Sequence, residues 1–263
     1  NPIKSGVSLK SHYYQTILKH QPDVGFFEIH AENYLSLGGP ALHYLEKIAQ
    51  LYPITIHGVG MSIGGSDAIN KDHLNRVHQL VNRIEPIYFS EHLAWSSHSG
   101  AFLNDLLPLP YNANTLQRVC DHIDLVQNTL KRTILIENPS TYLEFNDNQY
   151  SEIEFIQLMS QRSGCKLLLD INNVEVSCFN HRQDPIEYLN QFPIKQVNQL
   201  HLAGHALDTH SATPLKVDSH DREISPEVWE LYQQLLKQAG DKLTLIEWDG
   251  NLPSFETLHQ QAQ

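Results

Sequence analysis

Six apolar runs in this chain each stop at an imidazole or a carboxylate. Pro53-Ile54-Thr55-Ile56 stops at His57, Ile87-Tyr88-Phe89-Ser90-Glu91 at His92, and Thr133-Ile134-Leu135-Ile136 at Glu137. Leu167-Leu168-Leu169 stops at Asp170, Val197-Asn198-Gln199-Leu200 at His201, and Leu243-Thr244-Leu245-Ile246 at Glu247. A short apolar or β-branched run bounded by polar residues reads as a buried strand, and Pro139 cannot continue the ladder beyond Glu137. One polar residue at a strand end is ordinarily just where a core stops. Six of them, with no Ser, Lys or Asn in the set, point to a single site. Unpaired carboxylates at such positions are costly to desolvate, so Glu137 and Asp170 require a cation, a set of donors or solvent. Asp218-Ser219-His220 adds another signal, because residues two apart in an extended segment point the same way and can reach one ion. One transition ion takes roughly four to six donors. This chain offers eight, His57, His92, Glu137, Asp170, His201, Asp218, His220 and Glu247, so two or three ions are expected. Imidazole and carboxylate without thiolate suit iron, manganese or zinc.

Weaker candidates surround this set. His205 stands four residues after His201, but Gly204 follows a strand, so His201 is read as the ligand and His205 as support or loop structure. Glu28, His30 and Glu32 alternate on one strand face and Asn33 follows; the plain alternative is a polar barrel mouth. Asn173, three residues past Asp170, is a poor ligand by itself.

These residues need a scaffold that brings many strand ends together. Between the runs lie segments with helical period, such as Leu42, Leu45, Ile48 and Ala49, or Leu116, Val119, Ile123, Val126 and Leu130. Counting Gly6-Val7-Ser8-Leu9 and Gly25 to His30 as the first two strands, eight strands alternate with eight helices in 263 residues. Between the Asp170 and His201 strands only a short helix from Pro185 to Phe192 is read, and Ser225-Pro226 reads as the start of a later helix. An α/β fold follows, a (β/α)8 TIM barrel forming a single domain over residues 1–263, whose usual length is about 250 residues and whose active site lies at the strands' C-terminal ends. A doubly wound open sheet would recruit few strands to one switch point. The glycine-dense Gly58 to Gly65 loop has neither the G-x-G-x-x-G spacing nor a P-loop lysine. Two long polar segments, Trp95 to Pro110 and Ala203 to about Ser225, read as loops bordering the site.

Composition agrees with a metal protein. The chain has 16 His against 18 Lys plus Arg, and its formal net charge of −12 without a basic run excludes a nucleic-acid surface. It also favours a substrate or carrier bearing basic residues. Cys120, Cys165 and Cys178 are widely spaced with no C-x-x-C, which predicts neither a disulfide framework nor a thiolate zinc site and fits a reducing, cytoplasmic location. No apolar run reaches a membrane span, and no signal-peptide core is present.

The ordered motifs resemble the multinuclear non-haem iron-dependent oxidative enzymes, typified by the methanobactin-forming iron enzyme. They are Glu28-Ile29-His30-Ala31-Glu32-Asn33, His57-Gly58-Val59-Gly60-Met61-Ser62-Ile63-Gly64, Ser90-Glu91-His92-Leu93-Ala94-Trp95 and Glu137-Asn138-Pro139. Leu169-Asp170-Ile171-Asn172-Asn173, His201-Leu202-Ala203-Gly204-His205, Asp218-Ser219-His220 and Ile246-Glu247-Trp248-Asp249 complete them. The resemblance implies two or three iron ions, with His57 and His92 on one, Asp170, His201 and Glu247 on a second, and Glu137 bridging. A third position would use Asn173, Asp218 and His220, although some relatives carry His where this chain has Asn173. It puts Glu137, Asp170 and His201 at the catalytic centre, with Glu28, His30, Glu32, Asn33, Ser90, Asn138, His205 and Asp249 around it as substrate-binding or supporting residues. The implied activity uses dioxygen and a mixed-valent iron pair to remodel a cysteine thiol and β-carbon in a ribosomally made precursor peptide, with a separate peptide-binding partner protein. The donors alone also allow a zinc or manganese hydrolase or sugar isomerase, or a barrel that only binds metal.

Overall fold

The computed structural model describes residues 4–210 and 213–263. Eight parallel strands close into a barrel: β1 (Ser5–Ser8), β2 (Phe26–His30), β3 (Ile54–His57), β4 (Phe89–His92), β7 (Leu135–Glu137), β8 (Lys166–Asp170), β9 (Val197–Leu202) and β12 (Leu243–Ile246). Closure comes from β1, which pairs with β2 on one side and with β12 on the other. Four further strands make two antiparallel hairpins above the barrel, β5 (Trp95–His98) with β6 (Ala101–Leu107), and β10 (Ala206–Asp208) with β11 (Leu215–Val217). Helices α1 (Tyr14–His20), α2 (Pro40–Ala49), α3 (Lys71–Ile84), α4 (Ala113–Leu130), α5 (Glu152–Ser163), α6 (Ile171–His181), α7 (Pro185–Gln191), α8 (Pro226–Ala239) and α9 (Phe255–Ala262) connect the strands. No helix among the described residues is long and apolar enough to cross a membrane.

The strand period of two divides the barrel's contents. Phe27, Ile29, Ile54, Ile56, Phe89, Ile136, Leu169, Leu200 and Ile246 belong to the hydrophobic core, where the helices' apolar faces meet the strands. The alternate positions Glu28, Thr55, His57, Ser90, Glu137, Asp170, Gln199 and His201 are also buried, yet polar. Side-chain caps start several of the helices. Asn70 caps α3, Asn112 caps α4, Ser151 and Glu154 form a capping box on α5, and Ser225 caps α8 ahead of Pro226.

The closed barrel is the expected one, and three local readings are corrected. The Trp95 to Pro110 segment is not an irregular loop; most of it is the β5–β6 hairpin, with a register shift between Trp95 and Ser97. The Ala203 to Ser225 segment contains the β10–β11 hairpin, while its Ser211 and Ala212 lie outside the described residues. Helix α6 was absent from the sequence reading, because Ile171 to His181 looks too mixed in polarity for an amphipathic helix. It is buried through Cys178, so polar Asn172, Asn173 and Glu175 sit inside with it and blur its period.

Candidate metal centre

Strand register brings the expected donors together. His30 pairs with His57, His57 with Ser90, His92 with Glu137, and Asp170 with His201, so the C-terminal ends of six adjacent strands finish close together. Glu247 lies one residue beyond β12. Asp218 and His220 come down from above through the segment after β11. That segment is not extended as expected: His220 has φ 46, and its backbone is held by His220 N–H donating to Gly204 O (3.0 Å) and by Asp249 N–H donating to His220 O (2.7 Å). The two side chains nonetheless meet, with Asp218 Oδ1 2.5 Å from His220 Nε2.

The donors form overlapping groups whose ligand atoms lie within 4.8 Å of one another: His57, His92 and Glu137; Glu137, Asp170 and His201; His57, His201 and Glu247; Asp170, His220 and Glu247; and His30, Glu247 and Asp249. In the first group Glu137 Oε2 is 3.1 Å from both His57 Nε2 and His92 Nε2, and the two nitrogens are 3.2 Å apart. Three donors each about 2.1 Å from one ion stand about 3.0 Å apart in an octahedral face and about 3.4 Å apart in a tetrahedral one. The observed triangle falls between those values. Glu137 Oε2, Asp170 Oδ2, Asn173 Oδ1 and His220 Nε2 are buried without a hydrogen-bond partner of good geometry. Buried polar atoms are almost always paired, so Asp170 Oδ2 and Asn173 Oδ1, which have no partner, and Glu137 Oε2 and His220 Nε2, which have only the ion-pair contacts given above, fit a bound cation. The carboxylates Glu137, Asp170, Asp218 and Glu247 also match the charge of two dications. The residues present fit a multinuclear metal centre.

Electrostatics tell the same story. Burial would raise the Glu137 carboxyl, but the charges of His92 and His57 outweigh it and hold it at about 2. Burial would lower His57, but Glu137 overrides it and lifts the imidazole to about 9, whereas burial pushes His92 down to about 4. Burial, reinforced by the Glu137 charge, drives the Asp170 carboxyl well up. Closely spaced groups pushed in opposite directions are typical of a functional site.

The supporting residues divide. Ser90 Oγ stands 2.7 Å from His57 Nδ1, and Asn138 clamps the Asp170 backbone by donating to its carbonyl (3.0 Å) and accepting from its N–H (2.9 Å). Asp170 caps α6, with Oδ1 accepting from Asn173 N–H at 2.7 Å. His205 meets Asn172 Oδ1 at 2.8 Å and belongs to none of the metal-capable groups among the described residues. Asp249 Oδ2 lies 3.5 Å from His30 Nε2 while its other oxygen takes Lys10 Nζ. Glu28 lies inside the barrel against His201. Two expectations at the mouth are corrected. Glu32 does not share the face of Glu28 and His30, because a 3-10 turn (Ala31–Tyr34) follows β2; its carboxylate accepts from Val59 N–H and Gly60 N–H. Asn33 is exposed on that turn and lines no part of the site.

Several contributors escaped the sequence reading. Thr55 and Gln199 stand two residues before His57 and His201, on the same inward face and one layer deeper. The signal was there, since a polar residue two before a strand-end ligand is itself inward. Asn172 links Asp218 Oδ1 (2.8 Å) to His205. Glu91 lies under the loop after β3, where a Cβ on Gly58 would stand 2.0 Å from its Oε1. A side chain at Gly58 would have to displace the buried Glu91 carboxyl group.

Above the donors is a cavity of about 200 Å³ lined by His30, His57, His92, Asn173, Leu106 and Asp218 among others. A larger one, about 590 Å³, lies between α5, α6 and α7 but holds none of the donors, so it is not the chemical centre. The family described as "RiPP precursor modification enzyme MbnB/TglH/ChrH" matches residues 4–263. The chain belongs to this family. A UPF0276 protein of Paraburkholderia phytofirmans is 50% identical over 258 residues, covering 98% of this chain and 84% of its own length. Among solved structures, a xylose isomerase domain containing protein from Salmonella typhimurium has a TM-score of 0.65 at 12% identity, covering 100% of this chain and 96% of that one. Endonuclease IV from Thermus thermophilus has a TM-score of 0.63 at 13% identity, covering 98% and 96%. At such identities the likeness is one of fold.

Proposed function

We propose that this protein is an iron- and dioxygen-dependent oxidoreductase of the cytoplasm that modifies a cysteine residue of a ribosomally made precursor peptide, helped by a separate peptide-binding protein. The observation that carries this reading is the convergence of imidazoles and carboxylates, with orphaned buried acceptors, in a barrel belonging to a RiPP-modifying family. In this reading His57 and His92 would hold one iron, Asp170, His201 and Glu247 would hold a second, Glu137 would be shared between them, and Asn173, Asp218 and His220 would offer a third position. When bound, iron supplies a centre that accepts sulfur and exchanges electrons with dioxygen.

The chain's own residues then orient the reactants. Asp170 and His201 have no exposed surface and keep water from the floor of the site. A groove of about 270 Å³ runs from the cavity along β6, sharing Val59, Leu106, Ser140 and Asp218 with it and adding Phe102, Leu103 and Tyr142. Phe102 is 60% exposed and Tyr142 44%, an open apolar shoulder on which an extended peptide rests while its cysteine reaches the donors. Asp105 and Asp218 in the groove favour a substrate with basic neighbours.

The test combines iron-loaded protein, oxygen, the Cys-bearing peptide encoded beside it and the accompanying partner protein, following peptide mass. Loss of hydrogens or carbon confined to the cysteine supports the reading. An unchanged cysteine, or equal turnover after its replacement by serine, rejects it. Turnover of a sugar or ester with zinc or manganese and without oxygen favours the hydrolase or isomerase alternative.

A further inference from the structure

The three imidazoles closest to Glu137 are not held alike. His57 and His92 turn Nε2 toward the other donors, and their Nδ1 atoms meet neutral partners, Ser90 Oγ at 2.7 Å and Gly58 O at 3.2 Å. His201 is reversed. Its Nδ1 faces Glu247 Oε2 (3.0 Å) and Glu137 Oε1 (3.8 Å), while its Nε2 faces Glu28 Oε1 at 3.0 Å. Glu28 belongs to none of the metal-capable groups among the described residues. Its other oxygen is fully engaged, accepting from Thr55 Oγ1–H at 2.8 Å and Gln199 Nε2–H at 2.6 Å. The carboxylate is therefore locked by two donors, Thr55 from the adjacent β3 and Gln199 from β9 across the barrel interior, with one oxygen left free for His201.

We propose that Glu28 is a positioning residue: by accepting the Nε2–H of His201 it turns Nδ1 to the centre as the donor atom, and makes the Asp170, His201 and Glu247 position the more electron-rich of the two. An imidazole backed by a carboxylate is a stronger donor than one backed by a hydroxyl or a carbonyl. That position also has two carboxylates of its own, whereas the His57 and His92 position has only Glu137, which it shares. Both differences act in the same direction. The more highly charged ion of an unequal pair belongs beside Glu28, and the asymmetry is built into the protein before any substrate arrives. This inference rests on the metal-centre part of the proposed function and not on the peptide chemistry.

Glu28→Gln tests it, since the amide keeps the size and one acceptor but removes the charge. Anaerobic chelator-competition titrations with manganese(II) and iron(II) read the two affinities separately. One should fall about 10- to 100-fold while the other stays within about threefold. In the iron-loaded protein the midpoint potential should rise by at least about 59 mV, the equivalent of a tenfold loss for one electron. Thr55→Val, which frees the second Glu28 oxygen, should lower the same affinity by a smaller factor. It decides the matter if Glu28→Gln does not fold. Ser90→Ala should act on the other position. Unchanged affinities and potential in Glu28→Gln, or equal loss at both positions with the metal-free fold intact, overturn the proposal; so does an unchanged affinity in Thr55→Val. A wild-type protein that binds no second ion overturns both this inference and the proposed function. Two ions with the Glu28 effect but no peptide chemistry leave this inference standing and remove the peptide reading.

Discussion

Replacing Glu137 with glutamine removes one negative charge from the point where the donor groups overlap. One oxygen lies 3.1 Å from each of His57 Nε2 and His92 Nε2, and the other 3.8 Å from His201 Nδ1, so the loss is felt in two groups at once. Breaking a buried, well-placed charge pair costs roughly 3 to 5 kcal/mol. At about 1.4 kcal/mol per decade, each ion's dissociation constant should rise by two to nearly four orders of magnitude. His205→Ala removes only the 2.8 Å contact to Asn172 and should leave both constants within about threefold, as surface-side changes ordinarily do. Iron stoichiometry after anaerobic loading and desalting, with chelator competition for the constants, measures the contrast. Thermal melting of the metal-free variants separates lost ligation from lost folding. A folded Glu137→Gln protein that keeps its full iron content, or one that loses a single ion, would show that Glu137 does not join the two positions.

The three cysteines are buried, and burial pushes their thiols up to about 11 at Cys120 and about 12 at Cys165 and Cys178, so native protein at pH 8 should resist iodoacetamide while unfolded protein takes up three labels. Rapid native labelling would mean the chain carries a reactive thiol of its own. Glu152, on the floor of the larger cavity, accepts from Tyr188 OH at 2.5 Å and Tyr111 OH at 3.2 Å, yet burial outweighs those bonds and raises its carboxyl. A raised folded-state value stabilises below the unfolded value near 4.3 and is lost as pH rises through the folded one. Glu152→Gln should therefore gain on wild type in urea unfolding between pH 4.5 and pH 8, within about that window; a gap that ignores pH, or closes, refutes the assignment. Removing metal should lower the melting temperature. Ions at a hundred times their dissociation constant contribute about 2.7 kcal/mol per site, or roughly 5 to 10 °C for a chain of this size. An unchanged melting curve after chelation argues against a structural metal centre.

What the sequence alone determined is the barrel and which strand ends carry the imidazoles and carboxylates that it brings together. Strands with period two ending in His57, His92, Glu137, Asp170, His201 and Glu247 are a local pattern, readable because each strand is short, apolar and stopped by a polar residue. The hairpins β5–β6 and β10–β11 were less legible, since their exposed strands carry no apolar alternation set by a core. Helix α6 was lost because it is buried with its polar residues inside the site. Only the tertiary structure decided direction. That Glu32 turns to the loop after β3, that Asn33 faces solvent, and that His220 bends through a left-handed residue follow from the backbone between elements, which sequence spacing does not encode. The same holds for His201. Which of its nitrogens faces the centre depends on Glu28, a carboxylate 173 positions away along the chain and 3.0 Å away in space, brought there because a closed barrel makes distant strands share one interior.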